Sequence, residues 1–235
     1  GKISTDGIIG ISKFFDSLGL MSKSIDNIEY VYKVLSDDNS KLKNISNILI
    51  EKQSFENCSF EMNFLNALKR FLKSNNISFK NSNFCNDILA YHLDQDIICQ
   101  TEFKQLIVKE MEIPTNQFFQ KCQDQLLNSF YNDINEIKRS VNSIFDMNGE
   151  YQIAINRIKN YRKKFDFNIS KNAVDAIIGI TTCPHEKHTI HISSISSILG
   201  LPHITVPIST NSQIPLGLSI IGKRNSDMAV IDLAK

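Results

Sequence analysis

The chain has 235 residues and a formal net charge of +1; 42% of the residues are hydrophobic and 22% charged, the balance of a globular protein with one good-sized core. So small a net charge gives no reason to expect nucleic acid or an acidic membrane surface as a partner. No apolar run reaches the ~18 residues needed to span a bilayer, and the opening GKISTDGIIG does not read as a signal peptide.

The start, Gly1-Lys2-Ile3-Ser4, lacks an initiator methionine, as a chain that is processed, trimmed or cut from something longer would. It imitates the tail of a phosphate-binding loop without the preceding glycine-rich turn, so that reading is rejected. Asp16 reads as a turn residue hydrogen-bonded to its own backbone, ahead of direct chemistry. Ser24 is a good N-cap for a helix with Ile28, Val31, Tyr32 and Leu35 on one face. Asn44–Ile50 reads as a buried strand, followed by a helix with a stripe of Phe64, Leu68, Phe71 and Leu72. Ile77–Phe79 reads as a further short strand. Strand, helix, strand implies a parallel pair joined by a crossover helix.

Between Gly19 and Gly149 there is no glycine, and Pro114 is the only proline before Pro184, so the middle is expected to be helix-rich. Pro114-Thr115-Asn116 marks a fresh helix start. Phe118, Cys122, Leu126 and Phe130 follow at helical spacing, as core packing more readily than as a substrate tunnel. A later helix places Tyr151, Ile155 and Ile158 on one side and Lys159, Arg162 and Lys163 largely on the other, a solvated basic face. Ser193–Ser197 reads as a helix start or helix face. His203–Ile208 (HITVPI) and Leu216–Ile221 (LGLSII) read as two buried strands of a hairpin. Pro207 belongs at a strand end or an edge, and Gly217 permits close backbone approach.

Cysteines 58, 85, 99, 122 and 183 are odd in number and widely spaced, as reduced core thiols in a cytoplasmic compartment would be. Cys183, His185, His188 and His191 form the most metal-like run, CPHEKHTIH. Zinc sites usually draw ligand pairs from separate elements, and no second pair lies nearby. These are therefore read as loop residues, with Cys183, Pro184 and His185 as candidate substrate-pocket residues and no metal. A Cys183–His185 nucleophile pair would need a convergence that sequence alone does not show.

Several stretches together carry a family resemblance. They are Gly7-Ile8-Ile9-Gly10, Ser12, Phe15–Met21 and Ser24-Ile25-Asp26; Phe64–Leu68; Tyr151, Ala154 and Arg157; and Val174–Ile178. The last are Leu199–Pro202 with Ile204–Pro207, then Ile214–Gly222 and Asp227 with Met228–Leu233. The pattern resembles the C-terminal half of the amidase signature family, with Gly10 and Leu20 standing where that family usually has proline. Ser196–Gly200 and Asn225-Ser226-Asp227 are nearest to its plant-type branch, which includes an indole-acetamide hydrolase and non-catalytic relatives.

The resemblance implies an α/β fold, a mixed β-sheet flanked by helices. It divides the chain into residues 1–80 after the serine loop, a variable helical insert over 81–150, and a C-terminal part over 151–235. It also implies hydrolysis of a small-molecule amide by a lysine and two serines, with no cofactor. The lysine, the glycine-rich double-serine loop and the nucleophile lie in the family before the stretch that matches Gly1, and none of these motifs occurs in the 235 residues. No catalytic residue is therefore assigned, and the chain alone is expected to be inactive. A sheet missing part of its strands leaves an edge, which promotes a homo-oligomer or pairing with the missing half.

Overall fold

The computed structural model describes residues 2–8, 10–36, 44–55, 59–82, 89–111, 148–181, 192–208 and 216–235. Its elements are α1 (Ile25–Leu35), β1 (Asn47–Glu51), α2 (Ser59–Ser74), β2 (Ser78–Ser82), α3 (His92–Met111), α4 (Asn148–Lys171), β3 (Ala176–Ile180), α5 (Ile192–Leu199), β4 (His203–Ile208), β5 (Leu216–Gly222) and α6 (Asp227–Leu233). The residues group into two units, one of Gly1–Ser4, Ser17–His92 and Ile158–Lys235, the other of Thr5–Asp16 and Leu93–Arg157.

The first unit is built on a five-stranded mixed sheet in the order β2-β1-β3-β5-β4. β1 pairs in parallel with β2 and β3, and β5 pairs antiparallel with β3 and β4. Register sorts the side chains into two faces. Ile48 and Ile50 stand beside Ala176 and Ile178, and Ile178 and Ile180 stand opposite Ile220 and Leu218. This face carries the core cluster, closed by Leu65, Leu68 and Leu72 of α2 and Val230 of α6. Each such side chain taken fully out of water contributes about 1.5–3 kcal/mol. The alternate residues of β3, β4 and β5 face α5, whose Ile192, Ile195, Ile198 and Leu199 are wholly buried. The sheet is thus covered by helices on both faces, an α/β arrangement.

Three helices end alike, and each end feeds a strand. After α5, Gly200 adopts φ +64, its N–H donates to Ser197 O, and the N–H of Leu201 donates to Ser196 O. Asn76 after α2 (φ 57) and Ala173 after α4 (φ 51) repeat the pattern, with Ile77 N–H reaching Leu72 O and Val174 N–H reaching Ile169 O. These paired bonds satisfy carbonyls that a helix end would leave open, and the left-handed residue turns the chain back toward the sheet. At α5 the last carbonyls also take arginine donors: Arg162 Nε bonds Ile198 O at 2.8 Å, and Arg224 bonds Leu199 O at 2.9 Å. Burial, with Arg224 nearby, lowers the Arg162 guanidinium to about 10. Arg162 therefore leaves the solvated basic face expected of it and serves as a cap.

Two helical faces differ from the sequence reading. α1 buries Tyr32 beside Met228 and Ile231, with Ile25 and Ile28 packed against them. Val31 and Leu35 stay exposed, because the contact with α6 is one helix wide and selects a narrower stripe than hydrophobicity alone suggests. On α2 the buried stripe is Leu65, Leu68 and Leu72, while Phe71 is exposed. Pro114, Phe118, Cys122, Leu126 and Phe130 lie outside the described residues.

Candidate functional site

A run of hydroxyls and one imidazole crosses β3, β5, β4 and α5. Ser219 Oγ lies 2.8 Å from Thr181 Oγ1 and 2.9 Å from His203 Nε2. His203 Nδ1 lies 3.1 Å from Ser196 Oγ, whose hydroxyl donates to Ser193 O at 2.8 Å. Thr205 Oγ1 reaches the same Nε2 at 3.3 Å. Strand geometry assembles the group: His203 and Thr205 are two residues apart and share a face, and Thr205 stands opposite Ser219.

Counting protons orders these bonds. Ser196 gives its proton to Ser193 O, so its oxygen accepts from His203 Nδ1–H. Nε2 is then the acceptor, taking the proton of Ser219, and Thr181 donates to Ser219. The tautomer follows from this accounting rather than from visible hydrogens. Burial holds the His203 imidazole below its ordinary pKa, and a neutral ring suits a chain made only of hydroxyls.

The pair has the spacing of a nucleophile and its base, yet Ser219 is 0% exposed. No carboxylate hydrogen-bonds the imidazole in any bond among the described residues. The group pins α5 to three strands instead. Above it, Thr181 and Thr205 converge over Gly217, where an added Cβ would fall 2.6 Å from Thr205 Cγ2 and 2.8 Å from Thr181 Oγ1. The close approach read for Gly217 is thus made by side chains of both neighbouring strands.

The second unit holds a separate polar cluster. Asp16 Oδ2 accepts from the N–H groups of Ile11 at 2.6 Å and Ser12 at 2.9 Å, the turn role that its sequence setting suggested. Glu102 of α3 accepts from the Ser12 hydroxyl, from the Phe14 N–H at 3.1 Å and from the Tyr151 hydroxyl at 2.8 Å. Burial, then Glu102, pushes the Tyr151 phenol up to about 12. Arg157 pairs at 3.0 Å with Asp94, whose side chain is 3% exposed. Tyr151 and Arg157, singled out by resemblance, therefore both engage carboxylates of α3. Cys99 is a free thiol, and burial raises its pKa away from reactivity.

The candidate pocket residues Cys183, Pro184 and His185, with His188 and His191, lie outside the described residues. Thr181, just before them at the end of β3, is the described residue nearest to them in the chain. Among the described residues no group of three histidine, cysteine or acidic side chains is placed to hold a metal ion, and no helix is long and apolar enough to cross a membrane. Sequence reasoning missed His203, Ser219 and Thr181. The available signal was a polar His-x-Thr alternation in β4 and a lone serine in the apolar β5.

No family model matches the chain, and no curated protein matches it. Solved structures do. The native peptide amidase from Stenotrophomonas maltophilia is similar at 17% identity and a TM-score of 0.74, over 100% of this chain and 55% of that one. An amidase family protein from Bacillus anthracis is similar at 13% identity and 0.67, over 100% and 50%. The allophanate hydrolase of Kluyveromyces lactis is similar at 16% and 0.60, over 89% of this chain and 37% of that longer one. The chain has the amidase fold. It spans about half the length of the two amidase structures, with its sheet and flanking helices included in the match.

Proposed function

We propose that this chain is the C-terminal scaffold part of an amidase that hydrolyses the C–N bond of a small-molecule amide. The observation that carries the reading is the match of the whole chain to about half of a peptide amidase. The lysine and the two serines would come from sequence outside these residues or from a second chain. Glycine-flanked backbone N–H donors around the nucleophile contribute several kcal/mol to transition-state stabilisation, and this chain has no such loop. Cys183, Pro184 and His185 would line the outer wall of the pocket, beyond Thr181. The plant-type branch, with its indole-acetamide hydrolase, is the finer assignment that Ser196–Gly200 and Asn225-Ser226-Asp227 support, and a cytoplasmic setting suits the free Cys99.

A second reading is a non-catalytic amidase-like binding or assembly module. The sequence upstream of Gly1 discriminates: an intact lysine and serine loop there favours the enzyme, and their replacement favours the binding module. One experiment separates the two. The transcript upstream of Gly1 is sequenced, and the chain is assayed on simple aryl amides alone and fused to any upstream segment. Inertness alone with turnover in the fusion supports the amidase. Turnover by the chain alone overturns its role as scaffold, and the lack of an upstream lysine and double serine makes the binding module the better account.

A further inference from the structure

In the neutral state the protons of Thr181 and Ser219 both point toward the imidazole: Thr181 donates to Ser219, and Ser219 donates to His203 Nε2. An imidazolium has no acceptor nitrogen. When His203 takes up a proton, the Ser219 hydroxyl must therefore turn away from Nε2. Ser219 is 0% exposed, and a donor that deep needs a partner.

The geometry supplies one. Ser219 Oγ stands between Nε2 at 2.9 Å and Thr181 Oγ1 at 2.8 Å, and a hydroxyl both donates and accepts. One rotation makes Nε2–H the donor to Ser219 and Ser219 the donor to Thr181, whose own proton then turns out of the group. No heavy atom has to move. The other side of the ring is indifferent to the change: Nδ1–H donates to Ser196 in both states, because Ser196 keeps its own acceptor in Ser193 O at 2.8 Å. Thr205 Oγ1, at 3.3 Å from Nε2, is the competing acceptor for the new proton and the more distant one.

We propose that His203 is a proton-sensing switch whose charge sets the direction of the Thr181–Ser219 hydrogen bond, so that acid turns the Thr181 hydroxyl from a donor into the group to a donor out of it. Among the described residues, the surroundings leave the imidazole as the group that titrates here. β3, α5 and β5 carry no titratable side chain, and His203 is the one in β4. α6 packs on β4 and carries Asp227 and Asp232, but it joins the core on the opposite face of the sheet through Val230. Lys223 and Arg224, which follow β5, are paired with Asp175 and Asp166, and Arg162 bonds Ile198 O. The low pKa of the ring comes from burial alone. On the amidase reading, Thr181 places the switch just ahead of Cys183, Pro184 and His185 in the chain; its test needs the chain alone and no turnover.

With histidine labelled by a nitrogen isotope, the full chain is titrated by NMR downward through pH 6.5, with circular dichroism recorded in parallel and His203→Gln assigning the signal. Neutral His203 should carry its proton on Nδ1, and the ring should become doubly protonated while the chain is still folded. Thr181→Val keeps the shape of the side chain and removes the acceptor that reversal needs. Its His203 midpoint should fall by about half a pH unit or more, because the lost bond is stronger in the charged state. Thr181→Ser and Thr205→Ala should keep the wild-type midpoint. If Thr181→Val does not fold, Thr181→Ala is read in its place. A neutral ring protonated on Nε2 overturns the proposal, as does a ring that stays neutral until the chain unfolds. So does a wild-type midpoint in Thr181→Val, or a midpoint that Thr205→Ala lowers instead, which would give the new proton to Thr205.

Discussion

Asp175 and Lys223 meet at 2.7 Å where the chain enters β3 and leaves β5, and the second oxygen of Asp175 takes the N–H groups of Ser46 and Asn47 at 3.0 and 3.1 Å. One carboxylate thereby ties together the ends of three strands. Burial alone would raise its pKa, but the Lys223 bond and the two backbone donors outweigh that and hold it below 3.8. A carboxyl depressed on folding stabilises the fold above its unfolded value and loses that stabilisation as pH falls through the folded value. Asp175→Ala should cost about 2 kcal/mol at neutral pH. Wild type and variant should converge below pH 3.8, as followed by urea unfolding across an acid series.

His203 carries the opposite charge type, with the same direction in pH. Its folded pKa is lowered from 6.5 by burial, so the neutral imidazole stabilises the fold above pH 6.5, and that contribution is lost as pH falls from 6.5 through the lower folded value. A protonated Nε2 would also turn its new proton on the Ser219 hydroxyl. His203→Gln should flatten the pH dependence of the urea midpoint below pH 6.5. An unchanged slope would show that the imidazole titrates alike in the folded and the unfolded chain.

Gly217→Ala drives a methyl group into Thr205 and Thr181 and should destabilise by about 1–3 kcal/mol, the usual cost of overpacking. Thr205→Ser in the same chain removes the methyl group in closest contact. The double variant should recover a measurable part of the loss in a double-mutant cycle.

Ala173 holds a left-handed backbone without being glycine. Ala173→Gly should therefore raise stability by about 1 kcal/mol, read as a higher thermal midpoint with the circular dichroism unchanged. No gain would mean that the unfolded-state freedom of the new glycine cancels the relief.

Glu102→Ala removes the acceptor shared by Ser12, Phe14 and Tyr151. Amide exchange at Phe14 should accelerate, and trypsin should cut sooner at Lys13. Protection of Phe14 equal to wild type would show that Asp16 alone holds this turn.

The fold was legible in the strands that are covered on both faces. NISNILI and LGLSII are apolar enough to announce themselves, Val174–Ile178 entered through the resemblance, and the turn residues Gly200 and Pro202 mark the start of β4. The parallel pairing of β1 with β2 followed from their order, and the edge position of Pro207 from its missing donor. Reading both hairpin strands as buried overstated β4, which alternates half-buried and exposed residues, because a strand's burial depends on neighbours that no local pattern specifies. The faces of α1 and α2 were misjudged for a related reason: Val31 and Phe71 are apolar, yet the surface each helix packs against is narrower than its apolar arc. The polar group around His203 was not legible, since Thr181, Ser196, His203 and Ser219 meet only after the register of three strands is set.

The pairing of Ile48–Ile50 with Ala176–Ile178 joins stretches far apart in the chain, whereas β3, β4 and β5 follow one another closely. A peptide-bond break between α3 and α4 would therefore not sever the sheet. The front fragment would retain β1 and β2, the rear fragment β3 to β5, and the two would stay clasped by parallel backbone bonds and by Asp175 reaching Ser46 and Asn47. Proteolytic nicking there would change the bands on a denaturing gel and leave the native particle whole.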